Sequence, residues 1–144
     1  MTAPAFAKLP AVIPPFDANG LLPPGVHPAT LAEIGDRFGQ SSELRRAQME
    51  SVRWMIDLAR RAGVHRIILN GSFVTDIIEP NDVDCVLLSL PGQQRDQSAI
   101  KELQEGLPFL SVAIVDEDGF DQLVSRFFAT DRLGRCKGMI EVIE

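Results

Sequence analysis

The chain has 144 residues, 45% hydrophobic and 24% charged, with a formal net charge of −6. That length suits one domain, and the composition supplies a packed core and argues against disorder. The negative balance, the absence of Tyr and the single Trp argue against a broad electrostatic or stacking grip on nucleic acid, leaving room for a local basic patch.

Residues 1–27 hold most of the prolines, and Pro10, Pro14, Pro15, Pro23 and Pro24 deny the segment regular structure. Asp17-Ala18-Asn19-Gly20 reads as a turn. Ile13, Phe16, Leu21 and Leu22 are placed to pin an extended arm to the surface of the domain; a partner contact is the less favoured reading. Pro28 suits the first turn of a helix, continued by Leu31, Ile34 and Phe38 and ended by Gly39. Ser41 or Ser42 caps a second helix that runs to about Ala62, with Gly63 just beyond it. Leu44, Ala47, Val52, Met55, Ile56 and Ala59 form its apolar side. Arg45, Arg46, Glu50, Arg53 and Arg60 read as its solvated face.

Ile67-Ile68-Leu69 is an apolar run that predicts a buried strand ending at Asn70-Gly71-Ser72. Val83 to Leu88 predicts a second strand, which opens inside the pair Asp82-x-Asp84. Residues i and i+2 of a strand share a face, so both carboxylates point the same way. Two like charges that close are costly unless a cation joins them, and Mg²⁺ takes carboxylate oxygens while leaving positions for substrate phosphates. Gly71 lets a phosphate approach the backbone, and Ser72 can bind it. A phosphate-binding turn followed by a metal-binding carboxylate pair is what nucleotidyl transfer requires.

Beyond this stretch, Pro91-Gly92 marks a loop and Gln94 to Gln104 has weak helical character. Phe109 to Val115 predicts a third buried strand. Asp116-Glu117-Asp118-Gly119 lacks the calcium-loop spacing and reads as the cap of a helix carrying Phe120, Leu123, Val124, Phe127 and Phe128. Arg132-Leu133-Gly134-Arg135 is a turn, and Lys137 to Ile143 a last strand. Cys85 and Cys136 form neither a CxxC nor a zinc spacing and read as reduced thiols, and neither His27 nor His65 joins a ligand cluster. No signal peptide or membrane-crossing run is visible, so the expected location is cytoplasmic, away from membranes.

The predicted order α-α-β-β-α-β-α-β gives an α/β (α+β) domain over residues 28–144, following the Pro-rich arm. Its sheet should be mixed, because the spacer from Gly71 to Asp82 is too short for a helical crossover, and its helices should lie mainly on one face.

The pattern G-S, a short spacer, then D-x-D opening a strand resembles the signature of the DNA polymerase beta-type nucleotidyltransferase superfamily. The fuller form, G-S-F-V-T then P-N-D-V-D, is closer to a small uncharacterised family within or near it. That family also shares a P-P-G-x-H-P segment, matched by Pro23 to Pro28, and R-x-G-R-x-K-G, matched by Arg132 to Gly138. The resemblance implies a nucleotidyltransferase-like fold and transfer of a nucleoside monophosphate from an NTP to an acceptor that the sequence does not name. Gly71 and Ser72 would hold the triphosphate, and Asp82 and Asp84 would ligate Mg²⁺ or Mn²⁺. Thr75 either fixes the loop or is an ordinary turn hydroxyl. Lys137, Arg132 and Arg135 are either phosphate or acceptor contacts or the basic end of a hairpin.

There are departures from the resemblance. Ile77 stands where relatives often carry a Lys, and the third carboxylate is not obvious. Alignment puts the family acid at Ser111; Asp116 is the only acid close by, at the far end of the strand. The alternative reading is therefore a catalytically degenerate module that works through a protein partner, like the small nucleotidyltransferase-fold members of toxin–antitoxin pairs. Either reading leaves acceptor recognition to the arm, to a homo-oligomer or to another protein.

Overall fold

The computed structural model describes residues 12–127, 130 and 133–143. In chain order these form β1 (Gly25–Thr30), α1 (Leu31–Phe38), α2 (Glu43–Ala62), β2 (Arg66–Asn70), a 3₁₀ turn (Ser72–Val74), β3 (Val83–Leu88), α3 (Gln97–Glu105), β4 (Leu110–Val115), α4 (Glu117–Gln122) with a π-helical extension (Leu123–Phe127), and β5 (Gly138–Ile143). The five strands make one mixed sheet in the order β1-β5-β2-β3-β4. The β1–β5 and β3–β4 pairs are parallel, and β2 is antiparallel to both of its neighbours. The short connection between β2 and β3 thus joins antiparallel strands, as its length requires. No described helix is long and apolar enough to cross a membrane.

The sheet divides the apolar side chains by parity. Ile67, Leu69, Val83, Cys85, Leu87, Leu110 and Ile140 join α1, α2 and α3 in the larger core. Ile68, Val86, Leu88 and Met139 face the other way and meet Phe120 of α4, with Leu123 and Val124 against them. Three helices cover one face and α4 covers part of the other. On that second face the described residues form a cavity at the ends of β2 and β3, where Asn70 and Asp84 stand. Arg66 bridges α4 to the sheet: its guanidinium binds Glu141 of β5 at 2.8 and 2.7 Å and lies 4.7 Å from the Phe120 ring centre.

Three expectations are corrected. Pro28 does not begin a helix; it lies in β1, a strand that crosses the expected limit of the arm at residue 27. At a sheet edge a proline is tolerated where its missing N–H takes nothing from the ladder. The helix begins after Thr30, whose hydroxyl accepts from Glu33 N while Glu33 Oε1 accepts from Thr30 N, a reciprocal capping box. Phe109 to Val115 is not a buried strand. β4 is the sheet edge, with Leu110 buried, Ser111 exposed and the rest half-buried. The third correction concerns the apolar residues of the arm: Ile13, Leu21 and Leu22 are core, not surface pins. Arg37 holds this segment through the carbonyls of Ile13 and Pro14 and lies 4.3 Å from the Phe16 ring centre. The turn at Asp17 forms as expected, with Gly20 N donating to Asp17 O. Phe128 lies outside the described residues.

Candidate functional site

The site is built where β2 ends and β3 begins. In the ladder Asn70 stands opposite Asp84, and Asp84 opposite Ser111 of β4. Directly paired residues point to the same face, so these three side chains form a row across three strands, with Cβ atoms about 5 Å apart. Asp82 precedes β3 and is exposed; Asp84 is half-buried. All four residues line a cavity of about 1190 Å³, together with Gly71, Ser72, Lys137 and Arg135.

Gly71 turns the chain out of β2 with φ +84°, and a Cβ placed there would come within 2.7 Å of Asp84 Oδ2. Both the backbone and the neighbouring carboxylate therefore demand glycine. Gly71→Ala is expected to cost about 1–3 kcal/mol from the strained backbone, with further loss as Asp84 is displaced. Urea denaturation measures this, and a cost below about 0.5 kcal/mol, within the range of ordinary surface substitutions, would contradict the packing described. Ser72 Oγ accepts from Asn81 N at 2.8 Å, which ties the turn to the chain entering β3 and leaves the hydroxyl proton for a ligand oxygen. Thr75 is buried and its hydroxyl is used within the loop: it donates to Ser72 O at 2.6 Å and accepts from Ile77 N at 3.3 Å.

Helix α2 holds the loop from beneath. Arg45 is only 3% exposed. Its guanidinium donates to Phe38 O at 2.9 Å, Phe73 O at 2.8 Å, Thr75 O at 2.8 Å and Ile77 O at 2.5 Å. One turn later Gln48 Nε2 donates to Pro80 O and Asn81 O at 3.2 and 2.9 Å. Arg45 is thus not on a solvated face, as the sequence led us to expect. The helical stripe Arg45, Gln48, Met49, Val52, Met55 and Ile56 is the buried one. Burial lowers the Arg45 pKa from its ordinary value, and Asp76 partly opposes this.

Electrostatics distinguish Asp84. Burial pushes its carboxyl above the usual carboxylate range; the Lys137 ammonium pulls it back in part, and Asp82 adds to the rise. Lys137, just before β5, is 8% exposed and donates to Asn70 Oδ1 at 2.5 Å. The same neighbourhood, chiefly burial and then Asp84, pushes the Cys85 thiol far up, so Cys85 is an inert core residue. Cys136 is exposed.

Gly71, Ser72, Asp82, Asp84, Thr75 and Lys137 therefore come together, with Arg135 on the cavity wall. Asp116 does not join them. β3 and β4 run parallel, so Asp116 lies past the opposite end of β4, about 17 Å along the strand from Ser111. There its Oδ1 accepts from Gly119 N at 2.8 Å and caps α4. Arg132 lies outside the described residues. Among the described residues no three His, Cys, Asp or Glu side chains group as a metal cluster. Asp76 also lines the cavity, but at the rim formed by Gly20, whose carbonyl accepts from Asp76 N.

Sequence reasoning missed Asn70, Gln48 and the role of Arg45. The signal for Asn70 was a polar residue closing an apolar strand. The signal for Arg45 was its place on the helical stripe that continues through Met49 and Val52.

No curated protein and no solved structure matches the chain. Residues 14–143 match one family, described as a family of unknown function (DUF6932), and span the cavity, all five strands and all four helices. The fold and its candidate site thus lie within one family unit, and the chain belongs to the DUF6932 family.

Proposed function

We propose that this protein is a nucleotidyltransferase-like, metal-dependent NTP-binding protein whose capacity for nucleotidyl transfer is weak or absent. The observation that carries the binding reading is the convergence of Gly71-Ser72 and Asp82-x-Asp84 at one end of an antiparallel pair, on the wall of a cavity. A glycine that leaves backbone uncovered, a serine hydroxyl with a proton to give, and an ammonium at Lys137 suit phosphate oxygens. Asp82 and Asp84 suit a divalent ion. The half-buried Asp84 carboxyl, raised by burial and by Asp82, is an acceptor set that gains from a cation, and Mg²⁺ is commonly held by one or two carboxylates plus substrate phosphates. When bound, Mg²⁺ or Mn²⁺ would neutralise phosphate charge and polarise the phosphorus–oxygen bonds. The chain's own residues would hold the triphosphate against the turn and orient it along the row from Lys137 to Ser111.

The weak-transfer part of the reading rests on Ser111. It stands directly opposite Asp84, where a third acid would complete the metal site and help accept the proton of an attacking hydroxyl. A serine hydroxyl is a poor base and no charged ligand. This favours a degenerate module that binds nucleotide and acts through a protein partner, over an enzyme that turns nucleotide over.

Calorimetric titration with each of the four NTPs plus Mg²⁺ or Mn²⁺ tests the binding reading. Saturable binding that requires metal is expected, lost on Asp82→Asn. A folded protein that binds none of them at millimolar ligand would refute it. Robust nucleotidyl transfer by the wild type would refute the degenerate reading and leave binding intact.

A further inference from the structure

One aromatic side chain sits where the backbone alone would not place it. Phe38, Phe73 and Phe120 are buried, whereas Phe109 is 40% exposed and lines the same cavity as Asp82 and Asp84. Its φ is +66°, and among the described residues no other non-glycine residue takes a positive φ. Leu110 N donates to Leu107 O at 3.3 Å across Pro108 and Phe109. A proline followed by a residue of positive φ is the pattern of a type II turn, whose third position favours Gly or Asn, and a bulky ring there is strained. The surroundings hold it in place. Leu107 and Leu110 on either side are buried, and Phe109 O accepts from Val83 N at 2.8 Å, between the two aspartates. Backbone strain of this kind gathers where a side chain is needed for function. Among the described residues no other ring and no guanidinium packs against Phe109.

We propose that Phe109 is the platform on which the base of the nucleotide stacks, and that it makes the site favour purine over pyrimidine nucleoside triphosphates. This rests on the NTP-binding reading and gives its ligand a base class. The Gly71-Ser72 turn follows β2, the aspartates open β3, and Phe109 stands just before β4. These three strand ends lie side by side, because β2 is antiparallel to β3 and β3 is parallel to β4. The turn and Phe109 are therefore two strand spacings apart, about 10 Å. Phosphates on the turn, with a metal ion at the aspartates, leave the sugar and base to run toward β4, where the base meets the ring. A phenyl face carries no hydrogen-bonding group, so it holds a base by overlap alone, and a purine offers more overlap than a pyrimidine. One ring suits one base, in keeping with a chain that lacks the repeated rings of a single-strand binder.

Calorimetric titration of the whole chain in Mg²⁺ tests this, with ATP, GTP, CTP, UTP and inorganic tripolyphosphate, which has the phosphates without the base. The wild type should bind ATP and GTP more tightly than CTP and UTP. Phe109→Asn, which suits the positive φ, should weaken ATP and GTP by about 5–150-fold, the usual consequence of removing a stacked ring, and leave tripolyphosphate binding unchanged. Phe109→Leu keeps apolar bulk without the ring face and should show the same split; it carries the test where Phe109→Asn fails to fold. Phe109→Tyr should keep the wild-type affinity. Unchanged ATP and GTP affinity in Phe109→Asn or Phe109→Leu would overturn the inference while sparing the NTP reading. Equal loss of tripolyphosphate and nucleotide would do the same, by making the ring a support of the turn alone. Pyrimidine nucleotides bound as tightly as purine ones by the wild type would also overturn it. A folded wild type that binds none of the five ligands would remove the NTP reading and this inference with it.

Discussion

Arg45→Ala is expected to destabilise the protein by about 3–5 kcal/mol, the range that marks loss of a buried polar network rather than an ordinary surface change. The substitution removes the donors to the carbonyls of Phe38, Phe73, Thr75 and Ile77. Each buried acceptor left unsatisfied costs about 1–3 kcal/mol, and the sum is moderated because the exposed Ile77–Ile78 side of the loop admits water. The cavity left beside Phe73, whose ring centre lies 5.5 Å from the guanidinium carbon, adds to the loss. Arg45→Lys should recover only part, since an ammonium lacks the planar fork that reaches several carbonyls at once. Urea denaturation of the three proteins gives the values. A loss under about 1 kcal/mol for Arg45→Ala would mean that the loop is held by other contacts. Because Ser72 and Asp82 lie at the two ends of the segment that Arg45 and Gln48 grip, NTP affinity should fall in the same variant.

Asp84→Asn should separate stability from ligand binding. Burial raises the Asp84 pKa in the folded state above its unfolded value, against the pull of Lys137. The folded protein then binds more protons than the unfolded chain between those two values. Stability contributed by this group therefore falls as pH rises from the unfolded pKa through the folded one, and the charged carboxylate weighs against the metal-free fold at neutral pH. Asn at position 84 removes that burden. In EDTA the variant is expected to be as stable as the wild type or slightly more so at neutral pH, with any gain vanishing below the ordinary carboxylate range. With metal and NTP present the order reverses. Loss of a direct ligand should weaken metal–nucleotide binding beyond the roughly 10–100-fold typical of losing an outer-shell partner. Thermal melts in EDTA and in Mg²⁺ with NTP, taken at several pH values, give both readings. A large destabilisation in EDTA at neutral pH would assign Asp84 a structural role as hydrogen-bond acceptor in place of the ligand role.

The parts of this fold that read well from the sequence are those with a strong local signal. Helix α2 carries Ser42 as cap and Gly63 as stop, and both act as such. Ile67 to Leu69 and Val83 to Leu88 are apolar runs between turn residues, and both are central strands. Their antiparallel pairing follows from the length of the connection. Gly71, Ser72, Asp82 and Asp84 were legible because the same turn and the same alternation that make the strands also bring these four residues together. Asp116 was legible as a helix cap, from an acid placed ahead of a helix, and a short stretch of chain is enough to decide that role.

What the sequence did not show depended on partners distant along the chain. β1 has no strand pattern of its own and contains Pro28; it is a strand only because β5, more than a hundred residues later, offers an edge in register from Gly25–Gly138 to Thr30–Ile143. β4 reads as buried by composition but lies at the edge, because sheet order is set by which strands pair and not by how apolar each one is. Arg45 reads as solvated by its charge but is buried, since the carbonyls that satisfy it belong to a loop some thirty residues away. Lys137 gained its place beside Asn70 and Asp84 from the return of the chain into β5. Local propensity and alternation act within a few residues and so determined the central strands, the caps and the glycine–serine and aspartate pairs. Strand order, the burial of two cations and the make-up of the row Asn70, Asp84 and Ser111 are matters of long-range pairing, and those only the tertiary structure decided.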